Sequence, residues 1–270
     1  LPFSDVIVGW DLPPSLVTVC REEADRAGAK LIRWQPLLTS DGTLAPRPEW
    51  RAIGSRGEPV PGFRDLPEFT FICPNRPAVR QAVLTRLAEV IRAGLYDGVF
   101  LDRIRFPSPA LDPARWLACF CDACRRTAAD GIDLDVLRKH ISRFVVAPDL
   151  LVAFVERLLG KRGEEDKPGL HLLEAFLDFR ARSIARIVGE AADLIRAAGL
   201  TIGVDCFSPA LTRMVGQDLA ALDAVADWTK LMIYGQTFAP AGLPFELHGL
   251  ADWLVARGIA DDGAMTALSR

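Results

Sequence analysis

Short β-branched apolar runs alternate with longer amphipathic segments along the chain, and this alternation predicts a parallel α/β fold. The strand-like runs cover residues 5–10, 30–35, 69–73, 96–102, 200–206 and 227–234. Helical periodicity or helix-start and helix-stop signals predict helices at residues 15–28, 77–94, 113–130, 170–199, 220–225 and 247–258, and one or two helices at residues 134–159. Residues 39–68 are rich in Gly, Pro and Arg, which is typical of a long loop.

The length and the strand count together indicate a barrel. A chain of 270 residues is near the size of one (β/α)₈ barrel. The predicted strands are too few to close it, so we expect a TIM (β/α)8-type barrel that is incomplete in this chain, with an open sheet as the alternative. A helical insertion is expected at residues 112–169, after the fourth strand. We interpret residues 1–270 as a single domain.

Composition and charge narrow the classes of function. Half of the residues are hydrophobic, a quarter are charged and the formal net charge is −3, with both signs mixed along the chain. Because no basic stripe is present, nucleic-acid binding is not expected. No apolar run reaches the roughly 18 residues of a membrane span. No organic cofactor is expected.

Acidic residues stand at the ends of two consecutive predicted strands. Asp102 closes the fourth and Asp205 lies at the end of the fifth, so their backbones should lie about 5 Å apart on neighbouring strands. The carboxyl ends of barrel strands build the active site. Such a pair can divide into an acid and a nucleophile or base, as cleavage of a glycosidic bond requires. Lys230 and Tyr234 share one face of the sixth strand and are expected to line the same site.

Each of these polar residues also has a purely structural interpretation. Asp102 could form an ion pair with Arg103 or Arg105, and Asp205 could cap the loop before Ser208. The Lys and the Tyr of the sixth strand could pair with carboxylates inside the barrel.

Aromatic residues at or near strand ends are candidates for stacking against sugar rings. Trp10, Trp34 and Phe106 occupy such positions, and ordinary core packing is the alternative for each. Asp11 follows Trp10 directly and is a candidate for binding sugar hydroxyls.

Two motifs carry a resemblance to known families. Residues 97–107 (DGVFLDRIRFP) resemble the fourth-strand motif of several glycoside hydrolase barrel families. The resemblance implies that Asp102 is the strand-end carboxylate and that Arg105 belongs to the site. Residues 230–235 (KLMIYG) look like the strand end of chitinase-like barrels, where the Tyr contacts substrate. Because Ile104 stands where the chitinase pattern has its catalytic Glu, chitinase chemistry is not expected.

The cysteines favour a metal cluster over a disulfide scaffold. Three of the six lie within six residues, as a C-x-C-x-x-C motif. Together with Cys73 this motif is similar to the zinc cluster of family 42 β-galactosidases, which implies a closed, structural zinc site on Cys73, Cys119, Cys121 and Cys124. Free or disulfide-bonded cysteines are the alternative. Bound zinc would favour a cytoplasmic location. The Asn-Glu pair that supplies the acid in those β-galactosidases is missing from the fourth strand, so the resemblance does not imply galactosidase activity.

The hypothesis that follows is a glycoside hydrolase acting on an oligo- or polysaccharide. Asp102 would be the nucleophile or charge stabiliser, Asp205 the acid/base, and the sugar would be bound by Trp10, Asp11, Trp34, Arg105, Lys230 and Tyr234. A carbohydrate-binding barrel without catalysis is the alternative, favoured by the missing strand-end Glu. A metal-dependent hydrolase of another class ranks last, because none of the three His residues ends a strand.

Overall fold

The computed structural model describes residues 3–44, 47–128, 131–161 and 169–269, and these contain one curled sheet of five parallel strands in the order β1-β2-β3-β4-β5. The strands are β1 Asp5–Val8, β2 Lys30–Pro36, β3 Gly98–Asp102, β4 Thr201–Phe207 and β5 Trp228–Met232. The helices are α1 Pro14–Ala27, α2 Pro77–Arg92, α3 Pro113–Trp116, α4 Asp122–Ala128, α5 Leu134–Phe144, α6 Pro148–Leu158, α7 Leu170–Ala197, α8 Thr212–Val215, α9 Leu219–Asp223, α10 Leu243–Val255 and α11 Asp261–Ser269. The α/β fold is therefore confirmed, and its curled parallel sheet is consistent with an incomplete TIM barrel.

The two faces of the sheet are packed differently. Val99 and Leu101 of β3 are fully buried in the main apolar core, together with Leu87 of α2 and Ile187 of α7. On the other face, the rings of Phe100 and Trp228 stack with their centroids 4.9 Å apart. Since side chains alternate between faces along a strand, residues that share the parity of Phe100 lie on the aromatic side.

The predicted third strand, residues 69–73, is not a strand of the sheet, and that prediction is wrong. Residues Pro67–Phe69 form a 3₁₀ turn, and Ile72 makes an isolated antiparallel bridge with Arg51. The Ile72 N–H donates to the carbonyl of Leu38 at 3.0 Å, so the segment crosses the loop that follows β2. Strand β2 pairs directly with β3 instead, because the backbone of the short apolar run is already bonded to this loop.

The long loop after β2 is held by a buried ion pair rather than left free. Arg86 of α2 pairs with Asp41 at 3.2 Å and donates to the carbonyl of Pro36 at 2.8 Å. The amide of Gln35 donates to the same carboxylate at 2.9 Å. Because every member is buried and hydrogen-bonded, this network fixes the carboxyl end of β2 against α2.

Several helix and strand boundaries differ from the prediction. The described part of the segment predicted as one helix at 113–130 forms α3 and α4, whereas the segment at 134–159, predicted to hold one or two helices, forms two, α5 and α6. The edge strands end earlier than predicted, at Val8 and Met232, and α11 was not predicted. Helices α3 to α6 do lie between β3 and β4, but their description as an insertion at 112–169, part of which lies outside the described residues, stays a prediction, as does the single domain. Among the described residues, no helix is both long and apolar enough to cross a membrane.

Close packing on the aromatic face of β4 generates a stability prediction. A Cβ added at Gly203 would lie 2.1 Å from the ring of Trp228. We expect Gly203→Ala to destabilise the fold by about 1–3 kcal/mol, because the ring must move from its stack. Denaturant unfolding measures the change, with Gly189→Ala in α7 as control, where nothing lies within 4 Å of the new methyl. Equal stability of Gly203→Ala and the parent chain would contradict this packing.

Candidate functional site

Asp102 and Asp205 lie side by side at the carboxyl edge of the sheet. Leu101 is in register with Val204, so the next residue of each strand is one of the two acids. Both carboxylates are largely withdrawn from water, with side-chain exposures of 10% for Asp102 and 3% for Asp205. The structure thus brings together the two acids that the sequence singled out.

Asp102 is held by N–H donors from β2 and from the residue that follows it. The indole Nε1 of Trp34 donates to Oδ2 at 3.0 Å, and the backbone N–H of Arg103 donates to Oδ1. The guanidinium Nε of Arg103 lies 3.7 Å from the same carboxylate. The ion pair proposed as a structural role for Asp102 therefore exists, but with Arg103; among the described residues none is formed with Arg105.

Asp205 is paired with the strand β5. Lys230 Nζ lies 3.1 Å from Oδ1 and 2.9 Å from Oδ2, since the two residues are in register across β4 and β5. Burial, and after it the nearby charge of Asp102, raises the pKa of Asp205 to about 6, although Lys230 and Arg105 oppose the rise. The carboxyl group of Asp205 is therefore close to its titration point near neutral pH.

Lys230 and Tyr234 form the open side of this cluster. Burial lowers the pKa of Lys230, but hydrogen bonds with Tyr234 and Asp205 outweigh that effect, so the pKa is raised overall. The ammonium also lies 5.2 Å from the centre of the Tyr234 ring. Lys230 and Tyr234 keep 36% and 39% exposure respectively, so water reaches the acids from their side.

The predicted aromatic residues divide into two groups. Trp10 and Trp34 are half-buried, pack edge to face at 5.1 Å, and form a strip along the ends of β1 and β2. Phe106 is fully buried, so core packing is the correct interpretation for it. Asp11 is exposed in the turn after β1.

Arg103 and Arg105 are buried cations, and aromatic rings take the place of water around their guanidinium groups. Arg103 lies 4.9 Å from the ring of Trp10 and 5.1 Å from that of Phe69. Arg105 is sandwiched between Phe71 at 4.3 Å and Phe207 at 4.5 Å. Burial lowers the pKa of Arg105 to about 10, although the charges of Glu246 and Asp102 oppose this shift.

Glu246 is a buried acid that the sequence analysis missed. It is 1% exposed in the first turn of α10, where it accepts hydrogen bonds from the hydroxyl of Ser108 and from the N–H of Ala241. Burial raises its pKa, while Ser108, Ala241 and Arg105 act in the other direction. The predicted helix began at residue 247, four residues after the observed start at Leu243 and one residue after Glu246; Pro244, at a position that favours helix starts, was the available signal.

A cavity of about 140 Å³ lies beside the acid pair and is bordered by Arg105 and Glu246. Its other walls come from the loop at residues 61–71, from the segment after β3 and from the start of α10. Of the described residues, neither Asp102 nor Asp205 lines it. Arg105 is therefore the link between the cavity and the acid pair.

Four cysteines form a compact, buried cluster behind this edge. The Sγ atoms of the four lie within 4.8 Å of one another, in the set Cys73, Cys119, Cys121 and Cys124. All six cysteines of the chain are free thiols, so the disulfide alternative is not found. The N–H of Ile53 donates to the Sγ of Cys119 at 3.3 Å, and the side-chain amide of Asn75 donates to that of Cys124 at 3.4 Å.

A buried cation beside the cluster shows that these residues fit a metal ion. Arg180 is fully buried and donates through Nη1 to the carbonyl of Met214 at 2.9 Å. Its Nε and Nη2 are also buried and have no hydrogen-bond partner among the described residues. Burial lowers its pKa to about 9, and the charges of Cys119 and Cys124 oppose that shift. A positive charge left unpaired beside four thiols suits an anionic metal–thiolate centre.

Comparison with solved structures places the fold among glycoside hydrolases. The chain resembles the PgaB (BpsB) glycoside hydrolase domain of Bordetella bronchiseptica, with a TM-score of 0.55 and 13% identity over 94% of this chain and 71% of that one. It also resembles a β-galactosidase from Halorubrum lacusprofundi, with a TM-score of 0.55 and 15% identity over 94% and 38% of the two chains. A β-galactosidase from Rahnella gives 0.54 and 13%, over 86% and 35%.

These similarities describe the fold. No protein-family profile matches the sequence, and no curated protein is similar to it at the sequence level. The chain spans a little over a third of the β-galactosidases it resembles. A glycoside hydrolase-like fold is therefore confirmed, and its activity is a separate question.

The pairing of Asp205 with Lys230 generates a prediction about pH. We expect Lys230→Met to raise the pKa of Asp205 above about 6, because it removes the two hydrogen bonds and the charge that oppose burial. Carboxyl ¹³C NMR during a pH titration measures the midpoint. Lys230→Arg keeps the charge and serves as the control. An unchanged midpoint in Lys230→Met would mean that the lysine does not set the protonation of Asp205.

Proposed function

We propose that this chain is a glycoside hydrolase-like enzyme that cleaves O-glycosidic bonds in an oligo- or polysaccharide. The observation that carries the proposal is the pair of adjoining carboxyl groups at the carboxyl edge of the sheet. One of them, Asp205, has a pKa of about 6, and its neighbour Asp102 accepts N–H donors. Cleavage of a glycosidic bond needs two carboxyl groups with different protonation.

The surroundings of the two acids suggest their roles. Asp205 would protonate the leaving oxygen as the bond to the anomeric carbon breaks, and Lys230 would orient it and stabilise its carboxylate afterwards. Asp102 would attack or stabilise the anomeric carbon, because its hydrogen bonds all come from N–H donors. These assignments keep the roles expected from the sequence.

The remaining predicted residues would bind the sugar. Trp10 and Trp34 would present ring edges and faces to its apolar surface. Arg105, Lys230 and Tyr234 would donate hydrogen bonds to its hydroxyl groups, and Asp11 would accept one at the rim. Of these, Lys230 and Tyr234 are the most exposed beside the acids, so they would meet the sugar first.

A carbohydrate-binding barrel without catalysis is the second candidate. One observation favours it: Asp205 is 3% exposed and both of its oxygens are bonded to Lys230. A donor so enclosed needs Lys230 to move before it can reach a glycosidic oxygen. The two candidates differ in turnover and not in sugar binding.

We also propose that the cysteine cluster holds a structural zinc ion. Four thiolate ligands would close a tetrahedral site and leave no position for water, so the metal would stabilise the fold without entering the reaction. It would join the segment at residues 119–124 to Cys73, beside the site. Reduced, metal-bound cysteines are typical of the cytoplasm, which is the location we propose.

The role of Asp102 is tested by removing its charge. We expect Asp102→Asn to lower turnover of a cleaved glycan about a thousand-fold, equivalent to about 4 kcal/mol of transition-state stabilisation, while the fold remains. Reducing-end release across a panel of oligosaccharides measures turnover, and circular dichroism measures folding.

The control for Asp102 is Asp97→Asn, at the opposite end of the same β-segment. Asp97 accepts the N–H of Leu31 at 2.8 Å and has a structural role there. This variant should lose stability and keep turnover. Full activity of Asp102→Asn would remove Asp102 from the mechanism, and sugar binding by the parent chain without any cleavage would favour the second candidate.

The zinc proposal predicts about one zinc ion per chain by elemental analysis. Because metal binding supplies folding free energy, Cys124→Ser should lose the metal and unfold at a lower temperature. Cys20→Ser is the matched control, since Cys20 is half-buried and lies outside the cluster. The proposal would be contradicted if the parent chain contained no metal and its thermal stability did not change on treatment with a chelator.

A further inference from the structure

The size and the lining of the cavity beside Arg105 indicate which chemical group it can bind. Its volume of about 140 Å³ is close to that of a cavity that admits a benzene-sized group, about 150 Å³. The walls are largely aromatic and include Phe63, Phe69, Phe71 and Phe245. The rings of Phe63 and Phe245 meet edge to face at 5.8 Å, so these walls are packed against each other. A cavity of this kind admits a small, mainly apolar group.

Two buried polar groups face this apolar space. Arg105 is 5% exposed and clamped between two rings; its hydrogen bond goes from Nη1 to the carbonyl of Phe106 at 3.2 Å. No carboxylate of the described residues lies within ion-pair distance of its guanidinium. Glu246 is 1% exposed, and each of its two oxygens accepts one hydrogen bond while keeping capacity for another. The cavity thus offers a fixed donor in Arg105 and a fixed acceptor in Glu246.

The charges restrict what this cavity can bind. The walls carry both signs of charge, so a carboxylate drawn to Arg105 would also lie near Glu246, and an ammonium group drawn to Glu246 would also lie near Arg105 and Arg64. A neutral group with an acceptor and a donor matches both walls. A lone hydroxyl would leave the aromatic surface unfilled, whereas a secondary amide with a methyl group satisfies the donor, the acceptor and the apolar walls together.

We propose that this cavity is a subsite for the N-acyl substituent of an amino sugar. The amide oxygen would accept from Arg105, the amide N–H would donate to Glu246, and the methyl would lie among the aromatic rings. The inference rests on the proposed function, because the sugar is part of the glycan held over Asp102 and Asp205. Arg105, three residues after Asp102 and influenced by its charge, joins the subsite to the acid pair.

The test measures binding and not turnover. Methyl glycosides of N-acetylglucosamine and N-acetylgalactosamine are titrated against the full chain by ligand-observed NMR. The methyl glycosides of glucose, galactose, glucosamine, galactosamine and glucuronic acid are titrated in parallel. We expect the N-acetyl glycosides to bind about ten-fold or more tightly than their hydroxyl counterparts.

Two surface variants localise the preference. Leu111 is 44% exposed and lines the cavity, so Leu111→Trp should cover the opening and abolish the preference for N-acetyl groups without disturbing the core. Val146→Trp is the control, because Val146 is 78% exposed and does not line the cavity. It should keep the preference.

The outcomes separate this inference from the proposed function. Equal binding of hydroxyl and N-acetyl glycosides, no binding of the N-acetyl glycosides, tighter binding of the glucuronide, or a preference that persists in Leu111→Trp would each overturn the subsite. Hydrolysis of glycans together with any of these results would leave the enzyme proposal standing. A preference for N-acetyl groups without cleavage of any glycan would support the subsite and overturn the enzyme.

Discussion

The balance between burial and charge at Asp205 governs the chemistry of this sheet edge. Burial and the neighbouring Asp102 favour its neutral form, and the two hydrogen bonds from Lys230 favour its ionised form. The result is a carboxyl group that titrates at about 6, where a proton can be held and released near neutral pH. Lys230 is in turn supported by Tyr234, which is 39% exposed. Access to the acid pair is therefore coupled to the two side chains that control its charge.

Aromatic rings make the other buried charges of this edge tolerable. Two aromatic rings lie against Arg103, and another two enclose Arg105, where water would otherwise solvate the guanidinium. Rings hold a planar cation in one orientation, whereas water would let it turn. Donors fixed in this way need little reorganisation when charge develops nearby. Two of these rings, Phe69 and Phe71, also supply apolar walls to the cavity, so they serve both purposes.

The features that could be predicted from the sequence are those carried by a local pattern. The alternation of strands and helices gave the parallel sheet, and strand parity together with position placed Asp102 beside Asp205. The cysteine spacing located three members of the cluster, but Cys73 was found by resemblance, because it lies 46 residues before Cys119. Residues 69–73 show where a local pattern is not sufficient. A short apolar run is equally suited to a sheet strand and to a buried loop segment.

Features that depend on distant segments were not accessible from the sequence. Glu246 and Arg105 meet the same cavity from α10 and from the loop after β3, so no spacing along the chain connects them. Arg180 is similar: its meaning comes from the cysteines of two other segments and from the carbonyl of Met214. Each of these residues meets its neighbours only when the chain is folded. Arg180 is found by asking which buried polar atoms lack a partner.

Residues 214–217, at the end of α8 and just after it, lie in a series of hydrogen bonds between Arg180, near the cysteine cluster, and Asp205. Arg180 holds the carbonyl of Met214, and the carbonyl of Val215 accepts the N–H of Phe106 at 2.9 Å. Gln217 then donates to the carbonyl of Asp205 at 3.3 Å and accepts the N–H of Phe207 at 2.8 Å.

These contacts leave little freedom between the two sites. Gly216 has a φ of 76°, and a Cβ there would lie 3.0 Å from the ring of Phe106 and 3.1 Å from the Cβ of Arg180, so the approach depends on glycine. A charge on the cluster would hold Arg180 in place, and Arg180 in turn positions the segment that fixes the end of β4. Arg180 and the end of β4 are therefore held by one short segment, residues 214–217.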